Sequence, residues 1–591
     1  MTRKLLAAVL AVLLLATGCA TVPTKGTIRN GSREGLAPDF GGVGVEAKPP
    51  RSDTEPLQLV NGFLEAMSDS RAFDVAREYM TPEAAAAWKP ESQTIVYEQQ
   101  RDAVTSLRTD RIQLRARKIA TIDERGSWIP AKLDEQFSFE FKLSKVEGQW
   151  RVASVPPGVY LGSNQLDPKL APRNLYFFTP GRDLLVPDPV YLPVNLSPGQ
   201  AATQLIQELL KGPTSRLGNG VVSLAPPGTE VQVSVPVEYG VATVALNDAA
   251  APLRDAERRL LAAQIVWTLN QINLRVKITV NGAPLLPDDP DVLPLSNFTQ
   301  YDPQVPNGAL TELYGLRSGK VQRIEGLDGA SDIAARPLDT SMLYQYQAES
   351  FAVNLRADAG AVVARHTGDK VVVYAPLDST DQEGAVSTIP VQGRVLRPSF
   401  DNQDNLWILD RADSSAPRLR VRNRDGNQIA DVTTSFHGDT PEVLRMAPDG
   451  VRALLVMRSK TSGGNYVQTG TIQTASGGRL ILGQLRQLQL PLEDITDAAW
   501  NKQGILVAGV DASASNARQP WLVNTDGSRL QLLPGASSEF ETAQLASNLN
   551  KDTLPVIQDV KGHLHWQTRD LTWVDMDEDG KDAPIIPTYP G

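Results

Sequence analysis

At 591 residues the chain is too long for one hydrophobic core, and its 41% apolar and 21% charged content is that of folded globular protein. A formal net charge of −10 argues against a nucleic-acid partner, because an acidic surface repels a phosphate backbone. It repels anionic headgroups as well, so attachment to a membrane has to come from something other than charge.

The first nineteen residues offer that something. Arg3 and Lys4 precede an apolar run of twelve residues, Leu5 to Ala16. The run is too short to cross a hydrocarbon core about 30 Å thick, and it reads as a secretory signal over 1–18. Removing 1–18 takes away both basic residues and no acid, leaving −12. Leu15-Ala16-Thr17-Gly18-Cys19 resembles the lipobox of bacterial lipoproteins, with Ala16 where that motif prefers Leu. The resemblance implies S-diacylglycerol and an N-acyl chain on Cys19, the several chains that stable anchoring needs. The expected location is the extracytoplasmic face of the cell membrane. Cys19 is the one cysteine of the chain, so once acylated it leaves no thiol nucleophile and no disulfide. Residues 19–52 then read as the acylated cysteine and a flexible tether, broken by Gly and Pro and poor in apolar residues. Such a coil places the first domain roughly 30 Å from the bilayer.

A first domain is expected over 53–157. Leu57, Val60, Leu64 and Met67 recur on one helical face, a second helix carries Phe73, Ala76 and Tyr79, and Thr81-Pro82 starts a third. Phe137, Phe139, Phe141 and Leu143 then alternate as a strand, Glu147-Gly148 turns, and Trp150 and Val152 return. Helices followed by a curved antiparallel sheet resemble the α+β cone named after nuclear transport factor two, a fold that predicts no chemistry by itself.

A second domain is expected over 175–295. Ser197-Pro198-Gly199-Gln200 is a capping box opening a helix that buries Ala201, Leu205, Ile206 and Leu209 and stops at Gly212-Pro213. Val231, Val233 and Val235 alternate as a strand, Glu238-Tyr239-Gly240 turns, and Val241 to Leu246 return. A helix from Asp255 to Ile272 presents Leu261, Ile265, Thr268 and Ile272, and a last strand through Val276, Ile278 and Val280 ends at Asn281-Gly282. This α-β-β-α-β order resembles the α/β GerM-type domain of sporulation and germination proteins. Its match is carried by Ala225 to Thr229, Gly240 to Val244, Gln264 to Leu269 and Val280 to Gly282. The resemblance implies a non-catalytic docking module.

From 298 to 591 turn signals recur at Ser318-Gly319, Ala359-Gly360, Asp404-Asn405, Asp449-Gly450, Gln503-Gly504 and Lys561-Gly562, at intervals of 41, 45, 45, 54 and 58 residues. Apolar strands follow, and intermediate turns fall at Asp425-Gly426 and Asp526-Gly527. Two hairpins per unit of about 45 residues predict an all-β propeller of six to seven blades, with a sandwich or two small β domains as the alternative.

The chain offers little chemistry. It has four histidines, His366, His437, His563 and His565. The last two share a strand face without a third ligand nearby, so a solvated strand is expected rather than zinc. Asp575, Asp577 and Asp579 with Gly580 match the opening of a calcium loop, but position nine is Ala583 and position twelve Ile586. They remain a weak calcium candidate; no cofactor and no catalytic residue is assigned. Tryptophans such as Trp407, Trp500 and Trp573 are expected in cores.

Lipobox, tether, cone, GerM-type domain and propeller, in that order, resemble the actinobacterial LpqB lipoproteins over the whole chain. The resemblance implies an accessory of the Mtr two-component system that binds the ectodomain of the sensor kinase MtrB and is not an enzyme. A cell-wall-binding scaffold, or a secreted hydrolase with its site in the propeller channel, is the alternative.

Overall fold

The structure, a computed structural model, describes residues 48–591 except 70–72, 305–310, 327–333, 379–385, 427, 512, 514–515, 537–539, 551 and 577–583. Three helices open it, Pro56–Met67, Phe73–Glu78 and Pro82–Ala87. Thr81 caps the third by accepting the Ala84 N–H at 3.2 Å. The first helix buries Leu59, Val60, Phe63, Leu64 and Met67, while Leu57 stays 37% exposed. The predicted stripe was therefore off by part of a turn: the face centres on Phe63, which packs on Trp88 and Phe141 with both ring centroids 6.1 Å away. The sheet runs Gln149–Val152, Gln136–Val146, Arg111–Asp123, Gln93–Tyr97, Val159–Gly162. Its last member pairs parallel with Gln93–Tyr97 and lies beyond residue 157, so this cone reaches further along the chain than the periodicity suggested. Glu147 and Gly148, with φ of 50° and 82°, form the two-residue turn expected there.

In the second domain Ser197 and Gln200 close the capping box on helix Pro198–Leu210. Strand Val241–Leu246 pairs parallel with Arg275–Val280, joined by helix Asp255–Asn270. That helix is buried from Leu260 to Leu269 on nearly every side, not on one face alone. The reason is a long hairpin, Leu170–Phe178 with Leu185–Pro193, which packs against it. Gln264 ties the layers, donating to the Tyr176 carbonyl and accepting the Leu224 N–H, each at 2.8 Å. Val231 to Val235 form no regular strand. Only Val231 bridges Leu246, Pro236 has no N–H to continue a ladder, and Val233 points to solvent at 86% exposure.

The β-rich remainder is a propeller with six blades among the described residues. Blades two to six are the sheets spanning 348–390, 399–433, 440–487, 493–532 and 542–575. The first blade takes three strands from 313–337 and its innermost from the far end of the chain, Ile585–Thr588, which pairs antiparallel with Leu313–Arg317. Each interior strand feeds two apolar layers. Leu454 and Val456 pack toward the fifth blade, Ala453, Leu455 and Met457 toward the third. This two-sided burial explains why the strands read as continuous apolar runs rather than alternating ones. Leu313, Ile324, Ala546, Val556 and Ile585 make the layer that joins the sixth blade back to the first.

The turn repeat slipped phase at both ends. Asp404, Asp449 and Gln503 sit where an innermost strand turns into the next one. Ser318-Gly319 and Lys561-Gly562 instead join second and third strands, and Ala359-Gly360 lies inside strand Ala359–His366, with the turn at Ala357. What repeats is an acid or amide closing the innermost strand. Asn354, Asp401, Asp449 and Asn501 each accept backbone N–H groups two to five residues ahead.

Buried polar contacts fix the three domains to one another. Arg125 of the first domain caps the end of helix Pro198–Leu210, donating to the carbonyls of Glu208 at 3.0 Å, Gly212 at 2.7 Å and Pro213 at 3.2 Å, and to the Glu208 carboxylate at 3.3 Å. Arg216 of the second domain donates to Trp128 O in the first at 3.2 Å and to Thr525 O in the propeller at 3.3 Å. Arg486 of the propeller reaches Ser215 in return. Asp188, fully buried, holds the segment by accepting the Thr214 N–H at 2.7 Å and hydroxyl at 2.8 Å; burial pushes its carboxyl up, against the Thr214 bonds and the positive charges of Arg216 and Arg125. Gly220 permits close approach, since a Cβ there would stand 3.0 Å from Thr471 Cγ2 and 3.1 Å from Ile472 O.

Two substitutions test this account. At Gly315 a Cβ would meet Ile585 Cγ2 at 2.6 Å and Ile586 O at 2.7 Å. Gly315→Val should push the closing strand off the first blade and destabilise by about 2 kcal/mol, read as a lower urea midpoint and faster proteolysis of the C-terminal strand. Arg125→Ala leaves the Gly212 and Pro213 carbonyls without that donor and the Glu208 carboxylate with Lys211 alone. It should weaken the seam by about 2 kcal/mol, read as early protease cleavage between the first two domains.

Candidate functional site

Cys19, the predicted lipidation site, and Asp577 and Asp579 of the calcium candidate lie outside the described residues. Asp575 is described. Its carboxylate stands 3.8 Å from His563 Nδ1. Among the described residues no group of three or more His, Cys, Asp or Glu is placed to hold a metal ion. Nor is any helix there long and apolar enough to cross a membrane.

Of the two C-terminal histidines, His563 sits in the turn before strand Leu564–Gln567 with 33% of its side chain exposed, and the strand that holds His565 is not solvated. His565 is buried, stacked on Phe540 at 4.7 Å between ring centroids, with Nε2 3.3 Å from Asp559. Asp559 closes the preceding strand and accepts the N–H groups of Lys561 and His563. Periodicity could not reveal this partner, because Asp559 and His565 lie on adjacent antiparallel strands of the sixth blade. Trp407 and Trp500 are buried as expected, and Trp573 is half-buried.

Two surfaces stand out. One is the outer face of the second domain's sheet, which presents Val241, Thr243, Ala245 and Lys277, all half-buried, opposite the face that packs on helices. At its hairpin tip Tyr239 is 99% exposed with φ of 51°, a conformation that a bulky residue rarely adopts. The other is the propeller bore, walled by Arg397, Ser399, Arg445, Trp500, Ser547 and Tyr589 among others. Its hydroxyls are engaged structurally. Ser399 Oγ accepts the Met446 N–H at 2.9 Å, Ser547 Oγ accepts from Asn501 at 2.9 Å, and Tyr589 donates to Leu554 O at 3.0 Å. Sequence reading passed over both arginines, although a charged residue inside an apolar innermost strand, as in Leu444-Arg445-Met446, is the signal that could have marked them.

Three family models match the chain. They are the Lipoprotein LpqB N-terminal domain over residues 49–167, a sporulation and spore germination domain over 174–286, and the Lipoprotein LpqB beta-propeller domain over 329–590. Lipoprotein LpqB of Thermobifida fusca is 28% identical, covering 92% of each chain. That of Streptomyces coelicolor is 29% identical over 88% of this chain and 87% of its own, and that of Mycolicibacterium smegmatis 26% identical over 83% of each. With the two LpqB domain models covering more than half of its residues in the order found here, the chain belongs to the LpqB lipoprotein family.

Proposed function

We propose that this lipoprotein is anchored through acylated Cys19 to the extracytoplasmic face of the cell membrane, where it docks on the ectodomain of the sensor kinase MtrB and biases its signalling without catalysing a reaction. Family membership supports the lipoprotein part of this reading. The observation that carries the docking part is the seam. Arg125, Arg216 and Arg486 hold three domains as one body, so surfaces on the second domain and the propeller reach a partner in a fixed relation. A body of that kind loses little conformational freedom on binding. A preference of about 1.4 kcal/mol for one conformer of the sensor shifts its populations tenfold. Anchoring adds effective concentration, because both partners are confined to one surface.

The expected results are specific. The Cys19→Ala protein immobilised as bait should capture the purified MtrB ectodomain, and should not co-sediment with purified peptidoglycan. In cells the same substitution should release the protein and abolish its effect on Mtr-dependent transcription. Arg216→Ala, which frees the seam while leaving each core intact, should weaken capture roughly tenfold. Absence of capture, or full regulation by the released protein, would overturn the reading.

A further inference from the structure

Two arginines line the propeller bore. Arg397 stands just before the innermost strand of the third blade, and Arg445 lies in that of the fourth, Thr440–Met446. Both line one cavity with Ser399, Trp500 and Asn548. The carboxylate beside them is Asp497, and both of its oxygens are engaged. Oδ1 accepts from Ala498 N at 2.9 Å and from Arg445 Nη2 at 3.3 Å, and Oδ2 from Leu545 N at 2.9 Å.

The arginines keep unused donors. Arg445, with 12% of its side chain exposed, gives Nη1 to Leu444 O at 2.8 Å, but its Nε is buried without an acceptor among the described residues. Arg397 makes one bond among the described residues, from Nη1 to Pro587 O at 3.3 Å, and has no carboxylate within ion-pair distance there. Its side chain is half-buried and touches the cavity. Burial first, and the neighbouring Arg445 charge second, pull its guanidinium down to about 9, with Asp497 acting weakly the other way. A partly desolvated guanidinium with donors unmatched is less favourable than one facing an anion. The cavity, about 40 Å³ at the level of water centres, has room for a few waters or one carboxylate group. Its wall shares Leu549 with a cleft between the propeller and the hairpin residues Pro187 and Pro189.

We propose that the bore is an oxyanion site that takes one carboxylate group, brought by a small organic acid or by an acidic side chain of a peptide and held by the Arg397 fork beside the Arg445 charge. Planar guanidinium donors match a carboxylate two oxygens at a time, which a lysine could not do. The site is independent of the sensor-docking reading and would stand if that reading failed.

The test is calorimetric titration of the soluble Cys19→Ala chain, at low ionic strength, with N-acetylglutamate, with a capped peptide holding one internal glutamate, and with inorganic phosphate. Saturable binding of at least one carboxylate probe is expected, with a dissociation constant of about 1 mM or tighter. The free acid alone points to a metabolite source, and the peptide to an acidic partner segment. Arg397→Gln should weaken binding at least roughly tenfold, while Arg397→Lys, keeping charge without the fork, should retain part of it. Melting curves of both variants report whether the fold survives; anion-dependent stabilisation should be seen in the parent chain and lost in Arg397→Gln. Equal binding by Arg397→Gln, binding of phosphate alone, or no saturable binding overturns the proposal. So does carboxylate binding only after removal of Gly591, which lines the same cavity, because the chain itself would then fill the site.

Discussion

Three hydrophobic cores meet on the backbone between Gly212 and Leu217, and the molecule is one body because side chains from elsewhere engage the carbonyls there. A helix end leaves its last carbonyls without partners, and Pro213 brings no N–H of its own to the turn. Arg125 arrives from the first domain to serve Glu208, Gly212 and Pro213, Arg486 arrives from the propeller to serve Ser215, and Thr471 donates to Arg216 O. Arg216 then reaches back to both neighbours. The cluster gathers three guanidiniums around two acids, Asp188 and Glu208. Burial, helped by the Arg216 charge, draws Arg486 below the usual arginine range, and burial raises Asp188. Such groups tolerate desolvation only while all of them stay together. That makes the junction cooperative.

The propeller gives this junction something stiff to hold. Its ring closes when Ile585–Thr588 enters the first blade, so the sheet that begins the domain also ends it. Every interior strand is buried on two faces, and a blade cannot shift without disturbing two apolar layers. The contacts to the other domains come from blade turns and from the two outer strands of the fourth blade, which hold Thr471 and Arg486. Gln403 donates to Asp183 at 2.8 Å, Ser528 meets the Tyr191 hydroxyl at 2.6 Å, and Arg529 pairs with Asp167 at 2.8 Å. The turn held by Asp401 is one of these docking points, and Asp401 is almost fully buried beneath it.

What local chemistry writes into sequence was legible. The Ser197 capping box, the Asn281-Gly282 and Glu147-Gly148 turns and the two strands flanking helix Asp255–Asn270 followed from turn geometry and periodicity. Long-range contacts were not legible. The hairpin Leu170–Phe178 and Leu185–Pro193 carries four prolines, at 172, 187, 189 and 193, which hide its strands from a periodicity reading. The turn repeat misassigned its ends because the first blade is completed by a strand about 270 residues away. Of the candidate sites, Cys19 was marked by a local motif, whereas Arg397, Arg445 and the seam arginines depend on pairings no window of sequence contains. An arginine in an apolar strand is visible. What it faces is not.

Had freedom been placed between the domains, each interface contact would have had to order a hinge before contributing. Its removal at Gly212 to Leu217 leaves the surfaces of the second domain and the propeller in one fixed relation. In such a design the seam arginines set how much of the contact energy survives as affinity, although none of them has to touch the partner.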